Sequence, residues 1–341
     1  MLLAKACRCG ASPALANFLK TPVISKPFIP RIQASRLFAN DGRSAFTRSA
    51  RRSRTSTITE QAMSPAGETA FNIGKGAVAG GAVLGLGALC YYGLGLSPSA
   101  GAIEYAKVWP QYVRDRIKTT YMYFGASVAA SAASAAICLR SPAIMNMVMR
   151  QGWLALGATM VAMVGSGMAL QVIPYKEGFG TKQVAWLIHT GIVGAVLAPL
   201  YLLGGPLVLR AAWYTAGVVG GLSTIAVCAP NEKFLKMGGP LAIGLGVVFA
   251  SSVGSMFLPP TTVLGSGLHS MALYGGLLLF SMFLLYDTQR IVKQAELHPQ
   301  YGLDLRPYDP INNAISVYLD TLNIFVRILS ILAGRGNNRR Q

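Results

Sequence analysis

The longest stretch without a formal charge in this sequence runs for fifty residues, from Met237 to Tyr286. Charged side chains are rare in the hydrocarbon core of a bilayer because they lose their hydration there. About 20 apolar residues are enough for one membrane helix, so the stretch is long enough for two. The sequence Leu-Pro-Pro-Thr-Thr at 258–262 interrupts it, which predicts one helix near 238–257 and another near 267–286.

The composition of the whole chain agrees with a membrane protein. Only 12% of the 341 residues are charged, 52% are hydrophobic, and the mean hydropathy is +0.45. The formal net charge of +18 would suit a nucleic-acid partner, but a domain built to bind nucleic acid is rarely so poor in polar residues. We therefore expect a multi-pass membrane protein without a nucleic-acid partner.

The same criterion predicts eight transmembrane helices and an all-α fold. The first span stands alone before a charged loop at 98–118, and the other seven lie close together as a bundle over 119–334. A short basic tail, 335–341, follows. The predicted spans are 76–97, 119–139, 151–175, 183–209, 211–231, 238–257, 267–286 and 310–334.

The N-terminal region is basic and differs from the rest of the chain. Residues 1–59 hold eleven Lys and Arg but only one acid, Asp41, and they lack the single apolar run of a secretory signal. This pattern predicts a mitochondrial transit peptide over 1–38. The sequence Arg-Leu-Phe-Ala at 36–39 resembles a matrix-protease site with cleavage after Phe38, followed by a basic irregular segment over 39–75. A disordered basic tail on anionic lipid and a chloroplast signal are the alternatives.

Two of the twelve acids lie inside a predicted span or directly at its end, where a charge is costly and usually functional. Asp287 ends the seventh span, and Asp320 is in the middle of the eighth. Consecutive helices are usually neighbours, so we expect the two aspartates to meet. Further polar residues lie beside them or share one stripe of the last helix, and these are Thr288, Asn313, Thr321, Asn323 and Arg327.

Two carboxylates at membrane depth cannot both ionise cheaply, so they are expected to share a proton or to recruit a cation. Calcium normally takes six to eight oxygen ligands, so Asp287 and Asp320 with nearby hydroxyls and water predict a weak, transient calcium site. The alternative is structural. Asp287 is then a helix-end acid at the headgroups, and Asp320 merely neutralises Arg327.

Two motifs resemble a known family. The sequences Tyr-Asp-Thr-Gln at 286–289 and Tyr-Leu-Asp-Thr-Leu-Asn at 318–323 are similar to the last two helices of the Bax inhibitor-1 (transmembrane Bax inhibitor motif) family, and the resemblance covers roughly 115–334. It implies six helices around a central one and a pH-sensitive pair formed by Asp287 and Asp320. It also implies a calcium leak that protons gate or exchange for.

The solitary span, the transit peptide and the sequences at 85–96 and 254–262 resemble the mitochondrial branch of that family. This implies a location in the mitochondrial inner membrane, calcium/proton exchange, and roles in cristae organisation, cytochrome c retention and apoptosis control. The implied partners are membrane lipid, inner-membrane and cristae proteins, and cytochrome c. Some members hold the aspartate pair with a basic residue in their second helix. Because 151–175 has no charge here, Arg327 is the expected substitute.

Other functions fit less well. An intramembrane aspartyl protease carries its second aspartate in a Gly-x-Gly-Asp turn, whereas Asp320 has a plain helical context. We find no nucleophile triad, phosphate loop or metal cluster in the sequence, so we expect no enzyme and no cofactor, with calcium and protons as transported ions. The remaining rival is a non-transporting scaffold that shapes cristae.

Overall fold

The computed structural model describes residues 58–64, 69–93, 109–149, 152–230, 232–298 and 308–337. These ranges contain helices joined by turns, and no strand. The transit peptide and the basic tail lie outside the described residues. In chain order the α-helices are α1 Ile58–Ala62, α2 Thr69–Gly93, α3 Gln111–Arg140, α4 Pro142–Val148, α5 Trp153–Val172, α6 Thr181–Leu197, α7 Gly205–Cys228, α8 Gly238–Phe257, α9 Val263–Ser270, α10 Gly276–Leu297 and α11 Pro310–Asn337.

Six segments of the described chain are long and apolar enough to cross a membrane, which confirms a multi-pass membrane protein. Helices α2 and α5 occupy the predicted first and third spans. The apolar part of α5, Gly157–Val172, is shorter than a full span, so the count of eight stays a prediction. The six are Gln111–Arg140, Thr181–Leu203, Gly205–Cys228, Leu235–Phe257, Val263–Leu297 and Pro310–Gly334.

The predicted break at 258–262 is present. Helix α8 ends at Phe257, and the Thr262 side chain caps α9 by accepting a 3.1 Å hydrogen bond from the backbone N–H of Gly265. Proline has no N–H and clashes with the preceding turn of a helix, so α8 cannot continue through the proline pair. The predicted bounds 238–257 agree with α8.

The fourth predicted span, 183–209, is wrong at its C-terminal end. Helix α6 stops at Leu197, a 3₁₀ turn covers Ala198–Leu203, and α7 already begins at Gly205. Pro199 ends the regular hydrogen bonding of α6, and Gly204 reverses the chain with a φ of 118°, which favours glycine. The fifth span therefore starts about six residues before its predicted start at 211.

Several helices extend beyond the charge-free stretches that located them. Helix α3 begins at Gln111, inside the predicted loop 98–118, and α2 begins at Thr69 rather than at 76. The seventh span is continuous from Val263 to Leu297, with a π-helical turn at Met271–Gly275. A short helix, α1, lies within 39–75, where no regular structure was expected. A charge-free stretch marks the part of a helix that suits lipid. The helix itself can continue past that stretch into charged sequence.

Helices α3 and α6 pack with almost no space between their backbones. A Cβ atom on Gly194 of α6 would lie 2.4 Å from the backbone oxygen of Ser131 in α3. The hydroxyl of Ser131 donates to the Thr190 carbonyl at 3.1 Å, and that of Ser134 donates to the Gly191 carbonyl at 2.7 Å. Small residues and interhelical hydrogen bonds of this kind hold membrane helices together.

The last helix, α11, is the most buried of the six candidate spans. It packs against α3, α7 and α10. Helix α2 is not isolated, because it packs on α7, α9 and the π turn. The ammonium group of Lys233 binds the Tyr92 hydroxyl at the end of α2 and lies 4.6 Å from the centre of its ring.

We predict that Gly194→Ala lowers the stability of the purified protein by about 1–3 kcal/mol, because the added methyl group forces α3 and α6 apart. Gly191→Ala on the same helix is the matched control, since a Cβ there meets nothing within 4 Å. Thermal unfolding in detergent provides the comparison. Equal stability of the two variants would contradict the close packing of α3 on α6.

Candidate functional site

Asp287 on α10 and Asp320 on α11 meet between the two helices. The two helices pack against each other, each aspartate is only 6% exposed, and the two carboxyl groups are close enough to interact electrostatically. The two helices are consecutive in the chain and neighbours in the bundle, which is the arrangement that the expected meeting of the aspartates requires. Asp287 is not at a helix end, because α10 continues for ten residues to Leu297.

The surroundings of the pair supply a third oxygen. The Ser316 hydroxyl lies near the Asp287 carboxyl group, and its proton is donated to the Asn313 carbonyl at 2.9 Å. Oδ2 of Asp320 is buried and has no hydrogen-bond partner among the described residues. An unpartnered buried oxygen beside a second carboxyl group is a natural ligand for a proton or a cation.

These groups provide fewer oxygens than a tight calcium site. Two carboxyl groups and one hydroxyl fall short of the six to eight ligands that calcium takes, so water has to supply the rest. The described residues contain no cluster of three or more His, Cys, Asp or Glu side chains.

Arg290 is the basic residue near the pair that the sequence reasoning missed. It lies one helical turn after Asp287, and its Nη1 is 3.8 Å from Oδ1 of Asp287. The arginine side chain is 49% exposed, so solvent screens this contact and the ion pair is weak. Its position at i+3 is the signal that could have revealed it.

Most of the other predicted polar residues form hydrogen bonds within their own helix. The hydroxyl of Thr288 donates to the Leu284 carbonyl at 2.7 Å, and that of Thr321 donates to the Val317 carbonyl at 2.8 Å. Asn313 contacts the phenol of Tyr308, and Asn323 donates to the Leu319 carbonyl at 2.9 Å. Both threonines are next to an aspartate in sequence. Their hydroxyl groups donate to backbone carbonyls of their own helices and do not donate to the aspartates.

Arg327 does not hold the aspartate pair. Its Nε donates to the Ala272 carbonyl at 3.2 Å, and its Nη1 donates to the backbone and side-chain oxygens of Asn323 at 3.1 and 2.9 Å. The two alternatives suggested by the sequence, a latch on the pair and neutralisation of Asp320, both require a contact that the side chain does not make. Seven residues separate Arg327 from Asp320, about 10 Å along the helix axis.

A cavity of about 670 Å³, lined mostly by polar residues and called the polar cavity below, opens where α10 ends and α11 begins. Arg290 and Asn313 line it, so it comes within two helical turns of the aspartate pair. Beside it, Lys293 donates a 2.6 Å hydrogen bond to Glu232, which holds the pKa of that carboxyl group below its ordinary value. The complete lining is Leu235, Arg290, Lys293, Gln294, Leu297, His298, Tyr308, Asp309, Asn312 and Asn313.

An ion pair with a buried lysine fixes the start of α11, and no sequence pattern indicated it. Lys182 of α6 is 1% exposed, and its ammonium group binds Asp309 and donates to the Ile173 carbonyl at 2.9 Å. Asp309 also caps α11 by accepting hydrogen bonds from the backbone N–H groups of Ile311 and Asn312 at 3.1 and 3.0 Å. The partners are 127 residues apart in sequence.

Comparison with known proteins places this helical bundle in a family. The family described as inhibitor of apoptosis-promoting Bax1 matches residues 113–337. The chain belongs to this Bax inhibitor-1 family. The matched range agrees with the predicted 115–334, includes both aspartates, and leaves helices α1 and α2 outside the family region.

Relatives within the Bax inhibitor-1 family range from animals to bacteria. The chain is 59% identical over 287 residues to the growth hormone-inducible transmembrane protein of Rattus norvegicus, covering 83% of this chain and 82% of the relative. It is 31% identical over 222 residues to an uncharacterised protein of Helicobacter pylori strain J99, covering 63% and 85%. It is 25% identical over 232 residues to Bax inhibitor 1 of Oryza sativa subsp. japonica, covering 67% and 84%.

We predict that Lys182→Met destabilises the protein by about 3 kcal/mol, since it leaves the Asp309 carboxylate without its buried partner. Lys176→Met is the control, because Lys176 is exposed and the same chemical change there removes no buried charge. Thermal unfolding in detergent measures both. A Lys182→Met protein as stable as the control would show that the ion pair does not hold α11.

Proposed function

We propose that this Bax inhibitor-1 family protein carries calcium and protons across the mitochondrial inner membrane. The pair formed by Asp287 and Asp320 is the site that both ions use. The observation that carries the proposal is the placement of two nearly buried carboxyl groups on helices that pack together, with Oδ2 of Asp320 lacking a partner among the described residues. The polar cavity beside Arg290 supports it as a route from one membrane face.

The mechanism follows from electrostatics at low dielectric constant. Two adjacent carboxylates repel strongly away from water, so the empty pair holds a shared proton between its oxygens. A calcium ion neutralises both carboxylates at once, and its entry releases the shared proton. When a proton returns, one carboxylate is lost as a charged ligand and the calcium ion leaves. Proton and calcium therefore compete for the pair, which gives either exchange or a pH-gated leak.

We predict that Asp287→Asn and Asp320→Asn each reduce proton-driven calcium flux by at least about tenfold, because each removes one charged ligand. The full-length protein is reconstituted in liposomes that contain a calcium-sensitive dye, and a pH gradient is applied. Asp115→Asn is the matched control, since Asp115 is an exposed carboxylate on α3. A wild-type protein without flux, or two variants with unchanged flux, would refute transport through the pair.

A scaffold that organises cristae is the second candidate. Helix α2 lies outside the family region yet packs on the bundle, and its glycines Gly76 and Gly80 meet no other atom within 4 Å of a Cβ position. Such an open small-residue face allows close approach of another membrane helix. Roles in cytochrome c retention and apoptosis control are compatible with either candidate.

The two candidates differ in their dependence on the aspartates. Cells that lack the protein are complemented with the wild type or with the Asp287→Asn/Asp320→Asn double variant, and cristae are examined by electron microscopy. Transport as the primary role predicts disordered cristae with the double variant. Normal cristae with that variant would favour the scaffold.

The mitochondrial location rests on the basic N-terminal region and its single acid in residues 1–59. We predict that the mature protein from purified inner membranes begins at Ala39 or within a few residues of it. N-terminal sequencing tests this. A mature protein that still begins at Met1 would refute the transit peptide and with it the basis for this location.

A further inference from the structure

Arg327 is a charged residue in the last membrane helix that binds only neutral groups. Its guanidinium group donates to the carbonyls of Ala272 and Asn323 and to Oδ1 of Asn323, and its Cζ lies 4.6 Å from the centre of the Phe280 ring. The ion pairs formed among the described residues use other cations, namely Lys182, Arg290 and Lys293. Within this part of the chain the charge of Arg327 is therefore not neutralised by a carboxylate.

The surrounding backbone is shaped to hold this guanidinium group. Ala272 lies in the π turn Met271–Gly275, where the change in hydrogen-bond pattern frees a carbonyl for a side chain. Gly276 follows directly, and a Cβ atom there would lie 2.1 Å from Nε of Arg327. The π turn, the missing side chain of Gly276 and the Phe280 ring together fix the position of the charge.

The polar cavity, the aspartate pair and Arg327 follow one another in that order along α11, so Arg327 lies on the far side of the pair from the cavity. Asp320, Asn323 and Arg327 follow one another along one face of α11, and Arg327 is about 10 Å from Asp320 along the axis. The same region holds Leu284 and Ile324, both 0% exposed. An ion that leaves the pair toward the far membrane face therefore meets apolar side chains and then a fixed positive charge.

We propose that Arg327 is a specificity-determining residue of the cation pathway, a fixed charge that prevents calcium from leaking past the aspartate pair. This inference rests on the transport function proposed above. Fixed positive charges in membrane pores exclude cations in this way. Because electrostatic repulsion scales with the charge of the ion, the barrier is higher for calcium than for potassium. Arg327 thus keeps calcium movement dependent on the proton that exchanges at the pair.

The test compares passive leak with proton-driven flux in liposomes that contain the full-length protein. Without a pH gradient, Arg327→Gln is expected to raise the calcium leak by at least about tenfold and the potassium leak by less. Arg327→Lys keeps the charge and is expected to remain close to the wild type. Arg210→Gln, which neutralises an exposed arginine on α7, is the control and leaves both leaks unchanged.

A second variant tests the position of the charge without removing it. Gly276→Ala places a methyl group where the guanidinium group lies, so the arginine has to move. An increased calcium leak in this variant, with an unfolding temperature near that of the wild type, supports the inference. An unchanged calcium leak in Arg327→Gln overturns it, and so does an unchanged leak in a folded Gly276→Ala protein.

The outcomes separate this inference from the proposed function. If Asp320→Asn abolishes proton-driven flux while Arg327→Gln leaves the passive leak unchanged, the barrier fails and the transport function stands. If Arg327→Lys leaks as much as Arg327→Gln, the residue acts through packing and its charge sets no barrier. If the wild type carries no calcium under a pH gradient, the transport function fails and the barrier fails with it.

Discussion

The meeting of two carboxyl groups inside a membrane bundle is the constraint on which the rest of this structure depends. An isolated ionised carboxylate is costly to bury, and a second one beside it adds repulsion. Asp287 and Asp320 are each 6% exposed, so their charge has to be balanced by a proton, a cation or a nearby base.

Contacts with other helices hold the end of α10 and the start of α11, the two ends that the chain connects. At the start of α11, Lys182 binds Asp309, which also caps the helix. At the end of α10, Arg116 of α3 donates to the carbonyls of Ala295 and His298 at 3.0 and 2.9 Å. Both contacts use a charged side chain to satisfy helix-end groups. The register between Asp287 and Asp320 is therefore set by contacts outside the pair itself.

Much of this architecture follows from the distribution of charge along the sequence. The fifty uncharged residues at 237–286 with two prolines near their centre give α8 and the long helix after it, because lipid excludes charge and proline excludes a continuous helix. The same reasoning misplaced the boundary between the fourth and fifth spans. Pro199 and Gly204 end one helix and start another within a single uncharged stretch.

The aspartate pair could be predicted because neighbouring helices are consecutive in the chain. The Lys182–Asp309 pair could not, because its partners lie on elements whose packing no local pattern reveals. The position of Arg327 on the polar face of the last helix could be predicted, but its hydrogen bond to the Ala272 carbonyl could not. A π turn at Met271–Gly275 depends on tertiary packing, and the sequence gives no sign that the Ala272 carbonyl is free.

The contact between Gly194 and the backbone of Ser131 bears on how this molecule changes shape. Two helices whose backbones touch cannot slide past each other without a collision, so α3 and α6 behave as a single rigid body. Helices α9 and α10 are joined instead by a π turn, whose hydrogen bonds are less regular than those of an α-helix. The π turn is therefore the place where the segment from Val263 to Leu297 can bend relative to α3 and α6.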